Sequence, residues 1–456
     1  MVPAPSVTDF PYTTQVESLF WRVRHLPGAV WLDSGKPRSL QGRFDIISAC
    51  PQWTLSCEGE TTRLSSHRGD LRISTEEPFI AARQLLTSQG LIDNRFANIP
   101  FVGGLIGYWN YDLGTALHGL TPERGEKTTT MQLGWYGFAL ILNHETRQAR
   151  VVPHPAADND LATRFKDALA SPRPRQPDDF SLTTSFKADM DRQDYIAAVE
   201  AIQRYIRAGD CYQVNMSQAF VGTFQGDPWF AYRRLRHALP SPYGAFLSTP
   251  EGHVLSLSPE RFLKVSVGQV ETKPIKGTAP RGKTIEEDQK LAINLLNSPK
   301  NRAENLMIVD LLRNDLGKSC IAGSIKVPKL FALESFANVH HLVSTVTGTL
   351  ADNKTALDLL RDCFPGGSIT GAPKKRAMEI IMELERQPRG IYCGSIGYVS
   401  ATGRMDTNIA IRTLRTRGNT IECRGGGGIV ADSSPEDEYQ ECLDKVGILM
   451  RTLGKK

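Results

Sequence analysis

Residues 272–281, TKPIKGTAPR, form the stretch around which the rest of the chain is arranged. Ile275 favours an extended backbone, whereas Gly277 and Pro280 are typical of a point where a strand is interrupted. Lys276 is therefore predicted to lie where a strand ends, beside a glycine that lets other atoms come close. An exposed loop lysine is the commoner interpretation, because lysines are usually solvated. Residues farther along the chain decide between the two.

Short strands separated by turns, with several helices among them, surround this stretch. Apolar periodicity and capping residues predict helices over 191–208, over 286–313 with a break at Pro299, and from Pro435 onward. Strand-like runs in the same half of the chain occupy residues 211–218, 245–257, 394–400, 405–414 and 420–423. This mixture predicts an α+β fold with antiparallel sheets.

A change in composition divides the chain over residues 156–187. Pro172, Pro174 and Pro177 lie there among aspartates, serines and threonines, which is typical of a linker. The predicted division is an N-terminal region over 1–155 and a second domain over 188–456.

The overall composition excludes several classes of protein. The chain has 456 residues, and 54 basic against 49 acidic side chains give a net charge of only +5, which does not indicate nucleic-acid binding but suits an anionic small molecule. The eight cysteines form no CxxC pair, so neither a zinc site nor a dithiol motif is indicated, and buried free thiols are expected. No secretion signal and no membrane-spanning run is found. We expect a cytoplasmic protein that binds no membrane.

The last predicted helix carries the clearest group of candidate ligands. Glu438, Glu441 and Lys445 are spaced i, i+3 and i+7, which places them on one face of that helix. Two glutamates one turn apart repel each other unless a cation lies between them, and carboxylate oxygens suit Mg²⁺. A solvated charged face is the alternative interpretation.

Glu304 is a candidate third ligand on a different helix. The surrounding residues are mostly apolar, and an acid in such a place must be paired, protonated or bound to a metal ion. An ion pair with Arg302 or Arg313 is the alternative.

Three further features indicate that an anion is bound. The glycines at 425–428 leave backbone N–H groups that could form an anion-binding nest. Arg412 alternates with apolar residues on a predicted buried strand, where a guanidinium needs a carboxylate or phosphate, and Lys445 could add a second positive charge. Tight packing and a structural ion pair are the alternatives. Of the adjacent His340 and His341, at most one can reach a site from a strand.

Five ordered segments resemble the chorismate-utilising enzymes, which include anthranilate, isochorismate, salicylate and aminodeoxychorismate synthases. They are PIKGT at 274–278, RAENLMIVDL at 302–311, VHHLVST at 339–345, FPGGSITGAPK at 364–374 and GGGIVADS at 426–433. The resemblance runs from about residue 190 to the end. It implies the fold of anthranilate synthase component I, with antiparallel sheets packed face to face and helices outside.

Two positions distinguish branches within this family. Members that add water carry a lysine where this chain has Gln213, and glutamine cannot deprotonate water. Anthranilate synthases carry alanine where this chain has Lys276. The resemblance therefore implies amination of chorismate to 4-amino-4-deoxychorismate, in the p-aminobenzoate branch of folate biosynthesis. The alternatives are anthranilate synthase component I and a regulatory subunit that binds chorismate or tryptophan.

The resemblance also implies roles for individual residues. Lys276 would form a covalent adduct, Glu260 would be the general acid, and His341 would lie beside the ring carboxylate or the leaving oxygen. A magnesium ion would be held by Glu304, Glu438 and Glu441. The residues implied in substrate binding are Tyr392, Arg412, Lys445, Gly426, Gly427, Gly428, Gly277, Thr278 and Gln213.

A partner and a second site are implied as well. The chain lacks a glutaminase signature, so ammonia is expected from solution or from a separate glutamine amidotransferase subunit in a heterodimer. By resemblance, a tryptophan pocket would be formed by Ser34, Arg43, Pro242 and Tyr243. Asp33 stands where relatives carry glutamate, which argues against feedback inhibition through this pocket.

Overall fold

Two antiparallel sheets of twelve strands each form the centre of the computed structural model. The structure describes residues 6–39, 41–93, 96, 98–120, 128–172, 176, 178–336 and 339–454. The strands are β1 (Thr8–Phe10), β2 (Val30–Asp33), β3 (Phe44–Ser48), β4 (Trp53–Glu58), β5 (Thr61–Ser66), β6 (Leu71–Ser74), β7 (Gly104–Trp109), β8 (Thr129–Tyr136), β9 (Phe138–Asn143), β10 (Gln148–Pro153), β11 (Ser181–Ala188), β12 (Gln213–Gln225), β13 (Tyr243–Thr249), β14 (Gly252–Ser258), β15 (Arg261–Ser266), β16 (Gln269–Thr272), β17 (Ile275–Pro280), β18 (Lys326–Ser335), β19 (Val339–Thr349), β20 (Gly371–Ala372), β21 (Ser395–Ser400), β22 (Met405–Asn408), β23 (Thr413–Arg417) and β24 (Thr420–Ile429).

Helices flank these sheets. They are α1 (Val16–Val23), α2 (Pro78–Ser88), α3 (Tyr111–Leu117), α4 (Asn159–Ala170), α5 (Arg192–Arg207), α6 (Pro228–Ala238), α7 (Ile285–Asn297), α8 (Pro299–Gly317), α9 (Ala356–Cys363), α10 (Lys374–Leu384) and α11 (Pro435–Gly454). No helix in the described ranges is long and apolar enough to cross a membrane. The predicted helices near residues 191, 286 and 435 are confirmed, and Pro299 begins α8 as a new helix.

The first sheet runs β1-β10-β9-β3-β2-β13-β14-β23-β24-β12-β11, with β20 also paired to β12. The second runs β17-β19-β16-β15-β22-β21-β7-β8-β4-β5-β6, with β18 on the other side of β19. One apolar core includes Trp31 and Leu255 from the first sheet and Leu105 and Leu133 from the second, so the sheets pack against each other. All eight cysteines are buried and unpaired, as expected.

Both sheets combine strands from the two ends of the chain. β2 pairs with β13 in the first sheet, and β7 pairs with β21 in the second. The division at residues 156–187 therefore separates stretches of sequence that share both sheets. The linker prediction itself is corrected, because α4 and most of β11 lie inside that segment. The apolar face of α4, which buries Phe165 and Leu169, explains why this part is ordered.

Candidate active site

Lys276 lies on β17, where the ladder to β19 shifts register between Ile275 and Thr278. Gly277 has a φ of +83°, and a side chain there would lie 2.9 Å from Asn301 Cγ, so glycine is required. The Lys276 Nζ donates a hydrogen bond to the carbonyl oxygen of Ser368 at 3.0 Å. Burial lowers the pKa of Lys276, which favours the neutral amine, although nearby carboxylates oppose this effect. The lysine is thus half-buried and held, and the loop interpretation is wrong.

Glu260 lies between β14 and β15 and is only 6% exposed. Its Oε1 accepts hydrogen bonds from the Ile275 amide and from the Ser368 hydroxyl, each at 3.4 Å. Burial raises the pKa of this carboxyl to about 7, and the charge of Lys276 only partly opposes the rise. Glu260 is therefore partly protonated at neutral pH, which a general acid requires.

The two adjacent histidines face opposite sides of β19, as the strand periodicity predicted. His341 Nδ1 lies 2.8 Å from Thr278 Oγ1, and burial lowers the pKa of His341 to about 4, so the ring is neutral. His340 turns away and lies 2.9 Å from Asp288 and 2.8 Å from Ser335. Both residues pair with β17, but of the two side chains only that of His341 contacts it, at Thr278.

Two of the predicted metal-binding carboxylates and Lys445 converge on Gly427. A methyl group added to Gly427 would lie 2.9 Å from Glu438 Oε2 and 3.6 Å from both Glu441 Oε1 and Lys445 Nζ. Ser433 donates a hydrogen bond to the other oxygen of Glu438 at 2.7 Å, and Lys445 pairs with Glu441 at 2.6 Å. Burial raises the pKa of Glu438. Burial acts to raise the pKa of Glu441, but Lys445 together with Lys300 and Lys276 outweighs burial, and the pKa is lowered.

Glu304 faces the same region from α8. Burial raises its pKa, and the charge of Glu441 adds to the rise. The alternative ion pairs are taken by other groups, because Arg313 pairs with Asp310 at 2.8 Å and Arg302 stacks on a phenylalanine ring. Glu304 is thus left facing the site.

The fit of a magnesium ion depends on these three carboxylates. Among the described residues, no three histidine, cysteine or acidic side chains stand close enough together to hold a metal ion in their present conformations. The chemistry of the donors nevertheless fits, because like-charged carboxylates that share a partly buried space are the hard oxygen ligands Mg²⁺ takes. Burial raises the pKa values of Glu304 and Glu438. The positive charge of a bound divalent cation would offset this effect.

Arg412 and Gln213 are polar groups with no protein partner. Arg412 lies between β22 and β23 with a φ of +49°, a strained conformation for a residue with a side chain, and its guanidinium forms no hydrogen bond or ion pair with any described residue. Burial lowers the pKa of its guanidinium. Gln213 is 1% exposed, and both atoms of its amide lack a hydrogen-bond partner. Such groups indicate a missing ligand, because buried polar atoms are normally satisfied.

One predicted feature of this side needs correction. The strand expected over 405–414 is two strands, β22 and β23, and Arg412 lies in the break between them. The glycines at 425–428 continue β24 and pair with β12 along one edge, whereas β23 pairs only with 420–423 on the other edge, so anion binding by these backbone amides stays a prediction. Glycine is needed for close approach, since a side chain at Gly428 would lie 2.5 Å from the Gln213 amide nitrogen. Tyr392 is buried, with its ring 5.9 Å from the Arg389 guanidinium carbon.

The sequence pattern that defines the chorismate binding enzymes matches residues 29–451. The chain belongs to the chorismate binding enzyme family. It is therefore an enzyme of that family.

Similar proteins within the family agree along nearly the whole chain. Aminodeoxychorismate synthase component 1 of Escherichia coli K12 is 46% identical over 442 residues, which cover 96% of each chain. The protein of the same name from Salmonella typhimurium is 43% identical, with 99% of this chain and 98% of the relative covered. The crystal structure of anthranilate synthase component I from Streptococcus pneumoniae has a TM-score of 0.79 at 33% identity, covering 91% of this chain and 93% of that one. The predicted α+β fold is confirmed.

A separate cavity of about 150 Å³ includes part of the pocket that the sequence predicted for tryptophan. Arg43, Pro242 and Tyr243 line it, whereas Ser34 is not among the described lining residues. Asp33 also lines the cavity but is committed to a buried ion pair with Arg236, at 2.6 Å. Tryptophan binding stays a prediction.

Sequence reasoning missed two residues that touch the candidate groups. Ser368 contacts both Lys276 and Glu260, and Ser433 holds Glu438. Each lies inside a segment quoted for the family resemblance, so position in a motif was the available signal. The contacts of Ser368 join segments far apart in the sequence, and local patterns do not reveal such contacts.

Proposed function

We propose that this chain aminates chorismate at C4 and releases 4-amino-4-deoxychorismate, the precursor of p-aminobenzoate in folate biosynthesis. The relatives from Escherichia coli and Salmonella typhimurium, at 46% and 43% identity, carry the name of that activity. The observation that carries the proposal is the pairing of Lys276 and Glu260. Burial lowers the pKa of the amine and raises that of the acid to about 7, so both neutral forms are favoured together.

The neutral forms are those that the chemistry needs. The Lys276 lone pair forms a bond to C2 of chorismate, the ring double bonds shift, and the C4 oxygen leaves as water with the proton from Glu260. Ammonia then bonds to C4, the double bonds shift back, and the C2–Nζ bond breaks to regenerate the lysine. Two displacements replace one difficult substitution, and the configuration at C4 is retained.

The remaining residues bind and orient the substrate. The unpaired Arg412 and the nearby Lys445 and Tyr392 would hold the enolpyruvyl carboxylate, and Gln213 would face the incoming ammonia. Glu304, Glu438 and Glu441 would hold Mg²⁺, which supplies positive charge for the ring carboxylate. His341, neutral and bonded to Thr278, would lie beside the ring without adding charge.

The source of ammonia is proposed to be a second protein. The relatives are named as component 1, and a glutamine amidotransferase subunit would supply ammonia in a heterodimer. Purified chain should therefore use ammonium but not glutamine. Glutamine-dependent product from the chain alone would contradict this part of the proposal.

The principal experiment is incubation of the purified chain with chorismate, Mg²⁺ and ammonium, followed by mass analysis of the products. Amination without release of pyruvate is expected. The second candidate is anthranilate synthesis, which the fold of the Streptococcus pneumoniae structure favours. Fluorescent anthranilate together with pyruvate would support that candidate and refute the first.

A further inference from the structure

A short 3₁₀ turn, Gly367–Ile369, carries Ser368 between the amine and the acid of the site. Three contacts fix this turn in place. Thr370 Oγ1 donates to the Gly366 carbonyl at 2.8 Å, and Arg389 donates to the Ile369 carbonyl at 2.9 Å. A side chain on Gly367 would lie 2.3 Å from Leu311, so the turn is pressed against α8. Ser368 is 5% exposed and thus has a defined position.

Ser368 contacts both reacting groups through different atoms. Its carbonyl oxygen accepts the Lys276 Nζ–H at 3.0 Å, and its hydroxyl donates to Glu260 Oε1 at 3.4 Å. The second distance is long, but such hydrogen bonds commonly shorten when substrate binds. One residue therefore links the position of the amine to that of the acid.

The two oxygens of Glu260 are not equivalent. Oε1 faces two donors, the Ile275 amide and the Ser368 hydroxyl. A protonated Oε1 would share its position with the Ile275 N–H, which can only donate, whereas an unprotonated carbonyl oxygen can accept from both the amide and the hydroxyl. The acidic proton is therefore favoured on Oε2.

We infer that Ser368 is a positioning residue that assigns the proton of Glu260 to Oε2 and orients the Lys276 amine. This inference rests on the proposed amination. A neutral amine has two hydrogens and one lone pair, and the Ser368 carbonyl takes one hydrogen, which restricts the direction of the lone pair. The hydroxyl acts at the same moment on the acid, so the nucleophile and the proton donor are aligned together.

The test compares Ser368→Ala with Ser368→Thr. Alanine keeps the backbone carbonyl but removes the hydroxyl, whereas threonine keeps both and is the matched control. Loss of a hydrogen bond that favours the ionised carboxylate should move the basic limb of the kcat–pH profile upward by roughly 0.5–1 unit. Misorientation of the acid should lower kcat at the optimum by about 10–100-fold. Threonine should retain the wild-type limb.

Infrared spectroscopy gives a second measurement that does not depend on turnover. The carbonyl stretch of protonated Glu260, assigned by difference from Glu260→Gln, should rise in frequency in Ser368→Ala, because the carbonyl oxygen Oε1 loses a donor. A band that does not move would place the proton on Oε1 and overturn the inference.

The outcomes separate this inference from the proposed function. Wild-type protein that forms no aminated product would refute the function. Active wild-type protein with an unchanged basic limb in Ser368→Ala would refute only the role of Ser368, even if kcat falls. If the alanine variant does not fold, Ser368→Cys, which keeps a weak donor of similar size, should give an intermediate shift, and no shift would count against the inference.

Discussion

The two sides of the candidate site differ in how complete their contacts are. On one side Lys276, Glu260 and His341 each have a protein partner, at Ser368, Ile275 and Thr278. On the other side Arg412 and Gln213 have none in the described chain, and the three glutamates are not gathered. The first side has its contacts in place without a ligand, as the proposed proton transfer would require. The second would be completed by the ligand that we propose it binds.

Replacing Lys276 by alanine is the strongest test of the organised side. Amination with ammonium should fall on the order of 10⁴-fold, because the first bond-forming step is lost. The matched control is Lys273→Ala. Lys273 lies between β16 and β17, and its amine pairs with Glu334 at 3.2 Å. Product formation by chromatography and trapped protein adducts by mass spectrometry give the readout. If Lys276→Ala aminates chorismate at the wild-type rate and wild-type protein yields no trapped adduct, Lys276 is not the nucleophile.

Glu260→Gln should have the next largest effect, a loss of about 10²–10⁴-fold in kcat. The pH profile sharpens this test. A general acid must carry its proton, and the pKa of Glu260 is raised to about 7, so wild-type activity should fall as pH rises through about 7. The glutamine variant should lack that limb. A wild-type rate that keeps rising above pH 8 would contradict the assignment.

Arg412→Met tests the side of the site where polar side chains have no protein partner. Loss of a hydrogen bond to a charged group is worth about 1.5–3 kcal/mol, or roughly 10–150-fold in the KM for chorismate. Thermal stability should be unchanged or higher, because an unpaired charge is removed, while the backbone strain at a φ of +49° is the same for methionine. Arg415→Met is the control, since Arg415 pairs with Glu251 at 2.5 Å and should matter for stability alone. Lower stability with an unchanged KM for the Arg412 variant would show that Arg412 stabilises the fold and does not bind chorismate.

Ser433→Ala should give the smallest effect. Partners that hold metal ligands typically contribute 10–100-fold in metal affinity, so the Mg²⁺ concentration for half-maximal activity should rise by about that factor. Chelation should abolish wild-type activity and added Mg²⁺ restore it. Ser434→Ala is the neighbouring control, because Ser434 caps α11 and its loss should cost about 1 kcal/mol in stability without changing Mg²⁺ dependence. Equal Mg²⁺ dependence in both variants would count against Glu438 as a ligand.

Local signals in the sequence were enough for the elements that carry the site. The serine before α11, the proline that begins it and the proline at 299 each predicted a helix start that the structure shows. The spacing of Glu438 and Glu441 predicted that they share one face of α11, and both lie beside Gly427. Gly277 lies at the register shift between β17 and β19, but the expectation that a strand ends there is wrong, because β17 continues to Pro280. These features depend on residues within a few positions of one another, which is the range over which capping and periodicity act.

The remaining features depend on contacts between distant segments. Glycines normally interrupt strands, yet 425–428 extend β24 because Gln213 and the acids of α11 approach its backbone too closely for side chains. The break between β22 and β23 that holds Arg412, and the position of Ser368 beside Lys276 and Glu260, are likewise set by packing. Neither leaves a periodic trace in the sequence.

The pairing of distant strands in both sheets also affects folding during synthesis. β2 can pair only after β13 has been synthesised, and β7 only after β21, so neither sheet is complete until most of the polypeptide has left the ribosome. Pairings between such remote segments slow folding, since a long loop must be closed before they form. Nascent chains will expose unpaired strand edges in the meantime, and a fragment ending near residue 187 would keep those edges permanently.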